Sequence, residues 1–205
     1  MTTSPREIEL FFDIGSSYSY LAFTQIDAIE KRTGWTVRAR PFLLGGVFKA
    51  TGNDMPARVA AKARYLITDM QRWAGEYGIP FALPASFPSV TISTQRALVA
   101  TDRLSGQASL RRLARALFDA YWVQGRDVTD KAVIADVATK AGLDGAAIVA
   151  GIDAQETKDR LRADTEEAVA RGAFGAPTFF VADEMFFGND RIGHLERLVA
   201  SKEAR

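Results

Sequence analysis

Glu7-Ile8-Glu9-Leu10-Phe11-Phe12-Asp13-Ile14-Gly15-Ser16-Ser17-Tyr18 decides how the rest of the chain is read. Residues 7–13 are short, apolar and bounded by polar positions, the pattern of a strand that becomes buried towards its end. Gly15-Ser16-Ser17 supplies a turn, and either serine can cap a helix over about residues 18–32. Leu21, Ala22, Ile26 and Ile29 face inward on that helix, and Gly34 closes it. Residues 35–42 alternate apolar and polar side chains as a second strand. A strand–helix–strand unit of this size implies parallel strands with a right-handed crossover.

Outward from this unit the periodicity changes. From Pro56 to about Gly151 only helical spacing recurs. One helix, carrying Val59, Ala63, Leu66, Met70 and Trp73, ends at Gly78-Ile79-Pro80. Residues 93–104 form a second helix, and Leu110, Leu113, Ala114, Leu117, Phe118 and Tyr121 mark a third. Thr129 caps a fourth that ends at Gly142, and a short fifth begins near Gly145. The end of the chain returns to mixed structure. A helix over residues 154–171 precedes two apolar runs, 178–181 and 185–187, which Ala182-Asp183-Glu184 joins as a hairpin. A last helix covers residues 190–202. Removing the helical block leaves βαβ–αββα, the thioredoxin arrangement. The expectation is an α/β, thioredoxin-like fold with an inserted all-helical domain. Residues 1–55 and 155–205 form the thioredoxin-like part and 56–154 the insertion.

Composition removes several function classes. The 205 residues are 47% hydrophobic and 25% charged, enough to bury a core without covalent staples. The 26 basic and 25 acidic residues balance to +1, which argues against a nucleic-acid partner. There is no cysteine, so structural disulfides, thiolate metal sites and cysteine nucleophiles are excluded. A single histidine, His194, excludes a multi-histidine metal site, and it reads as a structural residue of the last helix. The opening residues lack the basic-then-apolar pattern of a signal peptide, and no stretch is long and apolar enough to span a membrane. The expected location is the cytoplasm.

Three segments carry candidate chemistry. The first runs from Asp13 to Tyr20, at the carboxyl end of a strand and the start of a helix, where α/β sheets bind ligands and unpaired N–H groups favour an anion. A Ser16 hydroxyl there can donate to a thiolate, or it can simply cap the helix. The second is Phe174-Gly175-Ala176-Pro177-Thr178-Phe179, where Pro177 is either a cis proline or an ordinary turn residue. A cis bond turns the N–H and C=O of Ala176 outward to pair with a peptide-like ligand. The third is Phe187-Gly188-Asn189-Asp190-Arg191, whose side chains either cap the last helix or hold the charged ends of a γ-glutamyl group.

Taken in order, Phe12-Asp13-x-x-Ser16-x-x-Ser19-Tyr20-Leu21-Ala22, Tyr77-Gly78-Ile79-Pro80, Tyr121-Trp122-x-x-Gly125, Phe174-Gly175-x-Pro177-Thr178-Phe179 and Phe187-Gly188-Asn189-Asp190-Arg191 resemble the 2-hydroxychromene-2-carboxylate isomerase family. That family stands with kappa-class glutathione transferases and DsbA-like folds. The resemblance implies glutathione as cofactor and Ser16 as the catalytic serine at its sulfur. It also implies Asn53 and Lys62 near the glutathione, Ala176 and Pro177 along its cysteinyl backbone, and Asn189 and Asp190 at its γ-glutamyl end. The implied partner is a small aromatic keto acid, isomerised through reversible thiolate addition, and the implied assembly is a homodimer. A kappa-type transferase or peroxidase, or a non-catalytic thioredoxin-like binding protein, are the alternatives.

Ser17 stands where the family usually has proline, a replaceable residue at a helix start. Two other departures bear on the substrate: a lysine that the isomerase offers to its substrate falls near Phe48 or Lys49, and the segment between Asn53 and Lys62 is shorter than the family's. Lys49 is the substrate-binding candidate on that alignment, with Phe87 and Phe186 as walls of an apolar acceptor pocket. Arg58, Lys62 and Lys49 also read as ordinary solvated positions. Ser16 and Ser19 occupy the places of a Cys-x-x-Cys pair, so thiol–disulfide exchange by the chain's own side chains is excluded.

Overall fold

The computed structural model describes residues 6–203. The first five residues, part of the segment read above for a signal peptide, lie outside them. Strand β1 (Glu7–Phe12) leads through Ser16 into α1 (Ser17–Thr24) and α2 (Ile26–Thr33). Strand β2 (Thr36–Pro41) lies parallel to β1, with Glu7 opposite Thr36 and Phe12 opposite Pro41. After α3 (Leu44–Thr51) come α4 (Ala60–Tyr77), α5 (Ile92–Trp122), α6 (Lys131–Lys140), α7 (Gly145–Gly151) and α8 (Gln155–Ala170). The hairpin β3 (Thr178–Val181) and β4 (Glu184–Phe187) then precedes α9 (Ile192–Glu203). The four strands form one mixed sheet in the order β2-β1-β3-β4, with both pairings of β3 antiparallel.

Alternation along the strands divides two cores. Ile8, Leu10, Phe12, Phe179 and Val181 face the larger one, shared with α1, α2, α5, α6, α7 and α9. Phe11 and Phe180 point to the opposite face, where Phe42, Val47 of α3 and Ala168 of α8 cover them. Arg40 closes that second core. It lies 4.5 Å over the Phe11 ring, bonds Glu9 at 2.7 Å and Glu167 at 2.6 Å, and pairs with Asp164. The outer edge of β2 is also closed: Val37 N–H donates to Glu30 Oε1 at 2.8 Å and Ala39 N–H to Gln107 Oε1 at 3.1 Å.

Several elements differ from the sequence reading for local reasons. The first helix is two helices, broken at Gln25, which takes φ −88° and ψ −5°. Helix α3 was not expected, because the Gly45-Gly46 pair hides the Leu44, Val47 and Phe48 spacing. The second and third helices of the block remain two helical runs but join without a loop at Gly106 (φ 76°, ψ −179°), a non-helical conformation open to glycine. Asp130, not Thr129, caps α6, accepting from Ala132 N–H at 2.8 Å. The hairpin is tighter than expected, with Val181 paired to Glu184 across Ala182-Asp183. A short 3-10 turn, Asn189–Arg191, precedes α9, and neither Asn189 nor Asp190 is its cap.

Candidate active site

Beyond β1 the backbone has no strand to pair with, and side chains take that role. Ile14 N–H donates to Gln95 Oε1 at 3.3 Å, and Gly15 N–H to Asp13 Oδ1 at 2.9 Å. The Phe12 carbonyl accepts from Gln95 Nε2 and the Ile14 carbonyl from Trp122 Nε1, both at 2.8 Å. Gln95 and Trp122 belong to α5, and Thr91 precedes its first residue. The helical block therefore builds the turn that presents Ser16.

Ser16 has extended backbone (φ −95°, ψ 116°), and its Oγ accepts from Ser19 N–H at 3.2 Å, so it caps α1. The same hydroxyl donates to the Ala176 carbonyl, also at 3.2 Å. Capping and ligand-facing placement thus meet on one atom. Ser16 is 8% exposed, and the first turn of α1 carries no acid to offset its positive N-terminal end.

The Ala176–Pro177 bond facing Ser16 is cis. The Ala176 carbonyl is not left open to a ligand as the sequence suggested, because Ser16 holds it. Its N–H has no partner among the described residues. Gly188 N–H donates to the Pro177 carbonyl at 3.0 Å, which brings Asn189 and Asp190 beside the proline. Asn189 is 3% exposed; its Nδ2 faces the Tyr77 hydroxyl but makes no hydrogen bond of ordinary geometry among the described residues. Asp190 is exposed and pairs with Arg191 at 2.5 Å. Asn53 reaches the same loop, donating from Nδ2 to the Phe174 carbonyl at 2.8 Å.

The structure brings Ser16, Asn53, Ala176, Pro177, Asn189 and Asp190 around one loop. Lys49 and Lys62 are exposed, on α3 and α4, and neither bonds another described residue. Arg58 pairs with Asp54 at 2.6 Å. Phe87 and Phe186 are half-buried and pack on the larger core, Phe87 lying 5.6 Å from the Trp122 ring. The aromatic surface at the loop is a different pair: Phe174 and Phe187, centroids 4.5 Å apart, are both more than a third exposed. A wide groove of about 1070 Å³ lies elsewhere, between β2 and the kink of α5. Arg111 and Arg115 on its wall bond Asp27, Arg111 also bonds Glu30, and none of the residues around Ser16 lines it.

Burial tunes the groups around the turn. It pushes the Asp13 carboxyl above its ordinary range, against bonds from Thr91, Leu44 and Gly15. It also raises the Tyr18 phenol, assisted by Asp69, which accepts from the Tyr18 hydroxyl at 2.7 Å. The Tyr20 phenol is pushed up to about 12 by burial and by Asp119.

Residues 7–200 match the model of the DSBA-like thioredoxin domain. The chain belongs to this family. It is 32% identical over 193 residues to a 2-hydroxychromene-2-carboxylate isomerase of Sphingobium xenophagum, covering 93% of this chain and 96% of that one. It is 30% identical over 214 residues to glutathione S-transferase kappa 1 of Rattus norvegicus, covering 98% and 94%. The solved structure of a 2-hydroxychromene-2-carboxylate isomerase superposes with a TM-score of 0.86 at 29% identity, covering 95% of each chain.

In this DsbA-like chain the sequence reading missed the frame behind Ser16. Asp13 and Trp122 stand in the quoted motifs without a role of their own, and nothing in the sequence singles out Thr91 or Gln95. An acid at the buried end of an apolar strand was the one available signal, since such a carboxylate needs donors. Gln95 carries none, because a buried glutamine in a helix looks like any polar position until the turn it serves is in view.

Proposed function

We propose that this protein is a glutathione-dependent isomerase resembling 2-hydroxychromene-2-carboxylate isomerase, acting in the cytoplasm on a small aromatic conjugated keto acid. The observation that carries the reading is the Ser16 hydroxyl, at the head of α1 and 3.2 Å from the Ala176 carbonyl, in a chain with no thiol of its own. The residues present fit a γ-glutamyl peptide. The unpaired Ala176 N–H suits a peptide carbonyl, the Asn189 Nδ2 beside Tyr77 suits a carboxylate, and Asp190 suits an ammonium. Asn53 and Lys62 are proposed towards the other end of the ligand, and Lys49, Phe87 and Phe186 towards the acceptor.

Bound there, glutathione supplies a thiol whose reversible addition to the conjugated acceptor frees a former double bond to rotate. Ser16 holds one proton, which it gives to the Ala176 carbonyl. To stabilise a thiolate it turns that proton to the sulfur, while the N-terminal end of α1 adds favourable potential. On this reading glutathione would be a cofactor and not a consumed substrate.

A kappa-type transferase is the second reading, favoured by the 30% identity to the rat enzyme. It consumes glutathione stoichiometrically where the isomerase does not, so the glutathione balance during turnover separates the two. The proposed assembly is a homodimer, checked by light scattering. The test of the site is a titration with reduced glutathione at neutral pH, following ultraviolet thiolate absorbance. Wild type is expected to give a signal that Ser16→Ala loses, with stability falling only about 0.5–2 kcal/mol from the missing cap. Equal signals in both proteins reduce Ser16 to a cap.

A further inference from the structure

Three chain segments begin at one carboxylate. Asp13 Oδ1 accepts from Gly15 N–H at 2.9 Å and from the Thr91 hydroxyl at 2.5 Å, and Oδ2 accepts from Leu44 N–H at 3.0 Å. Gly15 leads into Ser16. Leu44 opens α3, whose own cap position, Leu43, makes no side-chain bond. Thr91 precedes the first residue of α5. Asp13 is 3% exposed, and no lysine or arginine forms an ion pair with it among the described residues. A buried carboxylate without a cation depends on such donors. The links continue outward. Helix α3 ends at Gly52, and the next residue, Asn53, reaches the Phe174 carbonyl beside the cis proline. Gly15 meets Thr91 from the other side, where an added Cβ would stand 3.2 Å from the threonine methyl.

We propose that Asp13 is a positioning residue of this site. Its carboxylate sets the Ser16 turn against the starts of α3 and α5, and so fixes how Ser16 and Asn53 engage one thiol ligand. This rests on the glutathione reading of the site. Asp13 touches neither the ligand nor the acceptor; it acts through the backbone of Gly15 and Leu44.

Two variants test it. In Asp13→Asn the amide offers one acceptor and one donor, so either Gly15 or Leu44 loses its partner to an opposing N–H. Thr91→Val keeps the Asp13 side chain and its bonds from Gly15 and Leu44 but removes the third donor. Reduced glutathione is titrated into both and into wild type, with thiolate absorbance and Kd referred to the folded fraction from urea unfolding. The expected result is binding weakened about tenfold or more in Asp13→Asn, a smaller loss in Thr91→Val, and reduced thiolate absorbance in both. If Asp13→Asn does not fold, Thr91→Val carries the test alone. Variants that are less stable but bind and ionise glutathione as wild type does overturn the proposal and leave the glutathione reading standing. A stronger thiolate signal in Asp13→Asn, with Thr91→Val unchanged, also overturns it, because Asp13 would then act by charge. A wild-type protein that gives no signal overturns the glutathione reading and this proposal together.

Discussion

Arg40 shows how much one buried side chain can organise. Arg40 is 8% exposed, and its guanidinium serves Glu9, Asp164 and Glu167 at once, while Arg160 and Arg171 bond the outer oxygens of Asp164 and Glu9. Removing it leaves Asp164 buried beside a lost partner, so Arg40→Ala is expected to lower unfolding free energy by about 3–5 kcal/mol in urea titrations. The bond from Arg40 holds the Glu167 carboxyl below its ordinary range, with burial opposing. A carboxyl lowered in the fold stabilises above its unfolded pKa of about 4.3, and that contribution disappears as pH falls through the lower folded value. Wild-type stability is therefore expected to decline with acid below about pH 4, and a flatter decline is expected for Glu167→Gln. None of this cluster was legible in the sequence, where Arg40 sat as a polar position of an alternating strand. Ser16 was legible, because a helix start after a strand is a place where a hydroxyl has defined work.

Among elements, α5 has two duties. Its first turns hold the Ile14 N–H and the Phe12 and Phe42 carbonyls through Gln95, and its last residue holds the Ile14 carbonyl. Gln95→Leu is expected to cost about 2–4 kcal/mol, since buried peptide groups lose their partners, and to weaken glutathione binding by the folded protein. Between those ends, Gly106 takes φ 76° and ψ −179°. Gly106→Ala is expected to cost about 1–3 kcal/mol by thermal unfolding, with the Ser16 site unaffected. Helical periodicity found both halves of α5 because each buries an apolar stripe. It missed α3 because an eight-residue helix with Gly45-Gly46 near its start holds its place by packing Val47 and by the Asp13 bond, which are tertiary effects.

For the whole molecule, the order of elements was readable and the relation between the two parts was not. Residues 1–55 with 155–205, and 56–154, look like two units in the sequence, but one core runs through both: Leu10 and Phe12 of the sheet share it with Phe118, Trp122 and Ile134 of the block. We therefore expect a single cooperative calorimetric transition; two resolved transitions would contradict a shared core. The paired amides of Val37 and Ala39 bear on behaviour at high concentration. A bare edge strand is a template on which another chain can zip, the first step towards fibres. Here Glu30 and Gln107 already occupy the donors that an incoming strand must find. This flank of the molecule is sealed against self-templated growth, so crowding alone gives β2 no route into a stack.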